Sequence, residues 1–157
     1  MSEQTKQFEK IRQEVDNITG QSLSKKEILQ KICDLLHSRI SHYNWVGFYL
    51  TDPEKKDELV LGPFTGDPTE HTRITFGQGI CGQAAERRET FVVQDVSLET
   101  NYLACSPFVK SEIVIPIFKK GNVVGELDID SHQLSPFTQF DQDLLECICA
   151  KLSTDVL

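Results

Sequence analysis

The chain has 157 residues, enough for one domain with a sizeable core, and a formal net charge of −8. That charge argues against a nucleic-acid partner and suits a small cationic or zwitterionic ligand. It is 39% apolar, lacks an unbroken apolar run of membrane-spanning length, and starts with a polar stretch from Met1 to Gln13; the expectation is a cytoplasmic protein with no membrane partner.

Phe8, Ile11, Val15 and Ile18 recur at helical spacing, with Gly20 as a stop. The stripe serves either packing within the chain or a homodimer interface. Ser24 and Glu27 form an S-x-x-E capping box for a second helix, with Leu23 and Ile28 placed as a staple. Its apolar stripe is Ile28, Ile32, Leu35 or Leu36, and Ile40. Tyr43 to Leu50 and Leu59 to Phe64 read as strands separated by an Asp52-Pro53 turn. A loop follows from Gly66 to Arg73. Gly77 and Gly79 lead into a short helix from Cys81 to Arg87, and Phe91 to Gln94 is a strand. Ser97 to Val109 reads as a long loop of the kind that often carries function. Glu112 to Phe118 and Val123 to Asp130 are strands joined by a hairpin at Lys120-Gly121-Asn122. Thr138, with Asp141 three residues on, caps a last helix bearing Phe140, Leu144, Ile148 and Leu152. The order predicts an α+β fold, a largely antiparallel sheet of about six strands packed by N- and C-terminal helices. The expected organisation is one domain over residues 1–157, with N-terminal helices at about 3–40.

Two features carry chemistry. In the strand Val123 to Asp130, alternation places Val123, Gly125, Leu127 and Ile129 on one face and Val124, Glu126, Asp128 and Asp130 on the other. Successive carboxyls are then about 7 Å apart. Such a row is either a solvated face or a pocket. Aspartate is poor in strands, so two at period 2 in an apolar run need a reason. Crowded carboxyls raise one another's proton affinity, so the cluster would hold an ammonium group and keep one acid protonated.

The five cysteines are not a disulfide scaffold in a chain with no export signal. Cys33, Cys147 and Cys149 lie in helical apolar stripes and read as structural, Cys149 as the more exposed of the last pair. Cys81, near a helix start where the dipole favours thiolate, and Cys105, in a polar loop, are candidates for redox work as well as for packing. No C-x-x-C is present and the four histidines lack ligand spacing, so no metal is expected. Trp45 and Tyr49 share a strand face with Gly47 between them, either as core or as an aromatic wall for a ligand's apolar part.

Asn44 to Tyr49, Leu59 to Phe64, Gly77 to Gly82, Ala104-Cys105, Ser111-Glu112-Ile113 and Leu127 to Asp130 together resemble the free methionine-(R)-sulfoxide reductases, single-domain GAF proteins. The likeness runs from about Trp45 to Phe140. It implies a GAF-like six-stranded antiparallel sheet and a pocket for free methionine sulfoxide. It implies that Glu112, Asp128 and Asp130 surround the substrate's polar groups, Trp45 and Tyr49 its methyl-sulfur end, and that Cys81 and Cys105 are the redox pair. In the implied chemistry Cys105 attacks the sulfoxide sulfur, Glu112 or Asp130 donates a proton, and Cys81 resolves the sulfenic acid to a disulfide. The sequence leaves the reverse order of the thiols open. Thioredoxin or a similar dithiol would recycle the enzyme, and no organic cofactor is needed. Two departures stand out. The third cysteine that such proteins generally carry after the second strand is absent from Thr65 to Thr72. Glu126 occupies a position where an apolar residue is expected. The competing function is a non-catalytic GAF module that binds a small ligand.

Overall fold

The computed structural model describes residues 2–104 and 106–157. Two N-terminal helices, α1 (Glu3–Thr19) and α2 (Lys25–Arg39), lead into β1 (Trp45–Thr51) and β2 (Glu58–Thr65). Then follow β3 (Arg73–Thr75), α3 (Gly79–Arg87), β4 (Phe91–Val93), β5 (Ser111–Lys119), β6 (Asn122–Ser131) and α4 (Gln139–Asp155). The six strands form one antiparallel sheet in the order β3-β2-β1-β6-β5-β4. The acidic strand β6 is therefore a central strand, paired on both sides.

Local signals set the helix ends. Ser24 Oγ accepts from Glu27 N at 3.2 Å while the Glu27 carboxylate accepts from Ser24 N at 3.3 Å, the reciprocal capping box expected for α2. Asp141 does the same work at α4, accepting from Thr138 N at 2.8 Å. It also accepts from the buried Tyr43 hydroxyl at 2.6 Å, which ties the helix start to the entry of β1. The β5–β6 hairpin closes Lys119 onto Asn122 through Lys120 and Gly121, both at positive φ (53° and 79°). That is the two-residue turn whose twist matches its strands.

One sheet face is the main core. Val46, Phe48, Ile113, Ile115, Leu127 and Ile129 meet α2 and α4, with α1 packed outside both. The α1 stripe is spent within the chain: Ile11 and Val15 are buried and Phe8 meets Phe140 edge-on at 6.2 Å. Packing within the chain is therefore the use of these residues that the fold displays. The other sheet face carries α3 and the long loops around Trp45, Tyr49, Ile80, Cys81 and Val114.

Three expectations are corrected. The loop ascribed to Gly66 to Arg73 ends in a short edge strand, β3, whose three residues were too few to show a period. The alternation of β6 fails at its start: the register slips between Ile117 and Phe118, so Val123 joins the α3 face and Val124 the main core. In α4, Cys149 is the buried thiol and Cys147 the half-buried one, because the helix turns Leu145, Ile148, Cys149 and Leu152 inward.

Candidate active site

Three adjacent strands build the site. Alternation on β6 sends Leu127 and Ile129 into the main core and Glu126, Asp128 and Asp130 to the α3 face. Across from Asp130 lie Glu112 on β5 and Trp45 on β1; across from Asp128 lie Val114 and Gly47; across from Glu126 lie Pro116 and Tyr49. Cross-strand neighbours share a face, so Glu112, Glu126, Asp128, Asp130, Trp45 and Tyr49 lie together on the α3 side of the sheet.

α3 roofs this face and delivers Cys81. Its sulfur lies 3.8 Å from Glu112 Oε2. One donor atom each of Cys81, Glu112 and Asp128 lie within 4.8 Å of one another. The solvated-face reading of the acidic strand is wrong: Glu112 is 6% exposed, Asp128 and Asp130 3%, and Glu126 0%. Both Glu126 oxygens, Asp128 Oδ1 and Asp130 Oδ1 have no hydrogen-bond partner among the described residues. Buried polar atoms are normally paired, so a site with several orphans is built for something else to enter.

The electrostatics follow from this burial. Loss of water pushes the Glu126 carboxyl well above its ordinary range, reinforced by Asp128 and eased slightly by the Cys81 thiol. Asp130 is raised well above its ordinary range by burial and by Asp128, against a smaller lowering from Glu112. Asp128 is raised by burial, against hydrogen bonding with Glu112 and Cys81. The Cys81 thiol is pushed up, first by burial, then by Asp128, Glu112, Glu126 and Asp130. This corrects the thiolate expectation for Cys81: desolvation and carboxyls on the facing strands outweigh one short helix's dipole.

The aromatic pair anchors a covering loop. The Trp45 ring lies over Gly47, where an added Cβ would sit 2.3 Å from Cη2, and stacks on Phe64 with centroids 5.5 Å apart. Its indole N–H donates to the Asp67 carbonyl at 3.0 Å. The Tyr49 hydroxyl donates to the His71 carbonyl at 2.8 Å. The His71 ring Nε2 in turn pairs with the Ala104 carbonyl at 3.0 Å, joining the 66–72 loop to the 99–110 loop. Asn101 fixes the second loop to the start of α3, its Oδ1 accepting from Gly79 N at 2.8 Å and its Nδ2 donating to the Gly77 carbonyl at 2.7 Å. Gly79, at φ 66°, leaves room for Leu103; a Cβ there would lie 2.8 Å from Leu103 Cγ. Cys105, the residue after Ala104, lies outside the described residues, and with it the predicted approach of Cys81 to Cys105. A surface groove of about 580 Å³ lined by Thr51, Asp52, Phe76, Glu86 and Arg88 includes none of Glu112, Glu126, Asp128 and Asp130.

The sequence matches the GAF domain family over residues 22–154. It is 40% identical over 118 residues to a free methionine-R-sulfoxide reductase of Escherichia coli, covering 75% of this chain and 69% of that protein. The chain belongs to the free methionine-R-sulfoxide reductase family of GAF proteins. It is also 38% identical over 139 residues to GAF domain-containing protein A of Dictyostelium discoideum, covering 88% of this chain and 85% of that one. Among solved structures it superimposes on the Neisseria meningitidis free methionine-R-sulfoxide reductase in complex with its substrate. That match has a TM-score of 0.91 and 34% identity, and covers 99% of this chain and 92% of the other. Within this reductase family fold, sequence reasoning missed His71 and Asn101. Each acts through a contact to a backbone atom more than 20 positions away, for which a linear pattern carries no signal. The depth of Glu126 was also missed, because only pairing on both sides of β6 buries it.

Proposed function

We propose that this protein reduces free L-methionine (R)-sulfoxide to methionine by thiol chemistry, with the substrate's α-ammonium held by Glu112, Asp128 and Asp130. The observation that carries the proposal is the buried acid cluster with unpartnered oxygens facing Cys81. An ammonium group supplies three donors and a positive charge, which the cluster lacks. Trp45 and Tyr49 flank the same rows of the sheet and offer apolar surface to the methyl-sulfur end.

In this reading the Cys105 thiolate attacks the sulfoxide sulfur, and a carboxylic acid protonates the departing oxygen as the S–O bond passes from substrate to cysteine. Methionine leaves, and Cys105 is left as a sulfenic acid, oxidised by two electrons. Asp130 or Glu112 is the donor; burial and the neighbouring Asp128 raise the proton affinity of Asp130, the direction that role requires. Cys81 then condenses with the sulfenic acid, releasing water and closing a disulfide that thioredoxin or a similar dithiol reduces. The high proton affinity of the Cys81 thiol suits a resolving partner better than the first attacker. No organic cofactor enters these steps.

Oxidation of NADPH coupled through thioredoxin reductase and thioredoxin, with each epimer of free methionine sulfoxide, tests the proposal. Turnover with the R epimer and none with the S epimer is expected. Binding of the R epimer without turnover, under thioredoxin and under dithiothreitol alike, would leave a ligand-binding GAF module instead.

A further inference from the structure

We propose that Cys81, Glu112 and Asp128 bind one thiophilic divalent cation of the zinc class in the substrate-free protein, and that this cation and the amino-acid substrate exclude each other. The cation site rests on geometry alone; the exclusion rests on the function proposed above.

The three residues come from α3, β5 and β6, so their spacing along the chain forms no ligand motif, and the expectation of no metal rested on such spacing. In space, one sulfur and two carboxylate oxygens lie within 4.8 Å of one another, with the sulfur 3.8 Å from Glu112 Oε2. Zinc bonds of about 2.0 to 2.3 Å in a tetrahedron place donor atoms about 3.5 Å apart. Side-chain rotations that draw the donors together by up to about 1.3 Å complete the set, leaving the fourth position for water. The second observation is the orphaned oxygens. Asp128 Oδ1 is buried and unpartnered, and Asp130 Oδ1 and both Glu126 oxygens lie unpartnered on the same strand face. They leave acceptors on that face for the two protons of a metal-bound water.

Donor chemistry selects the cation. A thiolate among carboxylates favours zinc or cadmium over magnesium, which prefers six oxygens and retains most of its water. Charge selects against co-occupancy: two of the three carboxyls that would hold an ammonium, Glu112 and Asp128, are those that would ligate the metal. Binding displaces the thiol proton and carboxyl protons to solvent, so affinity rises with pH.

The test uses the reduced, metal-stripped full chain. Cadmium is titrated and followed by the ultraviolet thiolate-to-cadmium charge-transfer absorption, and zinc by calorimetry. One equivalent is expected to saturate both signals, with magnesium giving no heat. Cys81→Ser should weaken binding at least about 100-fold and Asp128→Asn at least about 10-fold, while Cys147→Ser changes nothing. Free methionine sulfoxide added in excess should reverse the cadmium band. Should Cys81→Ser not fold, alkylation of the wild type decides: one equivalent of zinc should slow modification of Cys81 and spare Cys147. The cation site is overturned by the absence of a band at one equivalent, by a band that survives Cys81→Ser, or by unchanged Cys81 alkylation. A cadmium band that substrate does not reverse overturns the exclusion. Reductase turnover in chelator-treated buffer is judged separately, so a failed cation site and a failed reductase assignment give different results.

Discussion

Replacing Glu126 by leucine should stabilise the protein, by an amount that grows with pH. Glu126 is fully buried in the centre of the sheet and neither carboxyl oxygen has a partner among the described residues. A buried polar group without a partner costs about 1–3 kcal/mol, and leucine removes it at similar volume. Titration adds a second contribution. The folded-state pKa of Glu126 is raised well above the ordinary 4.5 by burial and by Asp128. Such a group's contribution to stability is fully present below its unfolded pKa and is lost as pH rises through its folded one. The loss is about 1.4 kcal/mol per pH unit. From pH 4 to pH 6 the wild type should therefore lose up to about 2 kcal/mol that the leucine variant keeps. Urea denaturation of both proteins at pH 4, 5 and 6, with m-values compared, measures the gap directly. A gap that stays constant over that range, or a variant less stable than wild type throughout, would refute the reasoning that Glu126 is a buried, uncompensated acid.

Gly47→Ala should cost about 1–3 kcal/mol and shift the intrinsic fluorescence, because the new Cβ would collide with the ring of Trp45, the only tryptophan; an unchanged spectrum would contradict the ring's placement. Burial raises the Asp141 carboxyl, but hydrogen bonds from His42, Tyr43 and Thr138 outweigh it and hold it below the usual 3.8. Its stabilisation is present above that value and lost as pH falls through the folded pKa. Asp141→Asn should thus cost about 1–3 kcal/mol at pH 7 and less below pH 4, checked by thermal melts at both pH values. Cys105→Ser should abolish even one turnover, whereas Cys81→Ser should keep a single burst of methionine and stop there. Peptide mapping after mild peroxide should find a Cys81–Cys105 disulfide, and the two variants' burst amplitudes reversed would exchange the roles.

The helix caps, the central strands and the acid face were legible in the sequence because each depends on spacing along the chain. Ser24 with Glu27, Thr138 with Asp141, and the period-2 acids of β6 are local statements, and the structure repeats them. What failed depends on contacts between distant segments. The proton affinity of Cys81 is set first by burial and then by carboxyls on β5 and β6, rather than by the dipole of its own helix. The slip that exchanges Val123 and Val124 comes from how β5 pairs with β6. The clasp between His71 and the Ala104 carbonyl joins two loops through a backbone oxygen, which leaves no mark on residue type. β3 was missed because three residues at an edge are held by pairing to β2 rather than by any pattern of their own.

The most direct test of the central claim is a single turnover that needs no recycling partner. Fully reduced enzyme is mixed with less than one equivalent of substrate and the methionine released is counted. The acid pocket predicts stoichiometric methionine from the free R sulfoxide, none from the S epimer, and none from the N-acetylated R sulfoxide, whose missing ammonium would leave buried carboxyls unpaired. Release of N-acetyl-methionine as fast as methionine would contradict the account, because the buried acids would then have no part in choosing the substrate.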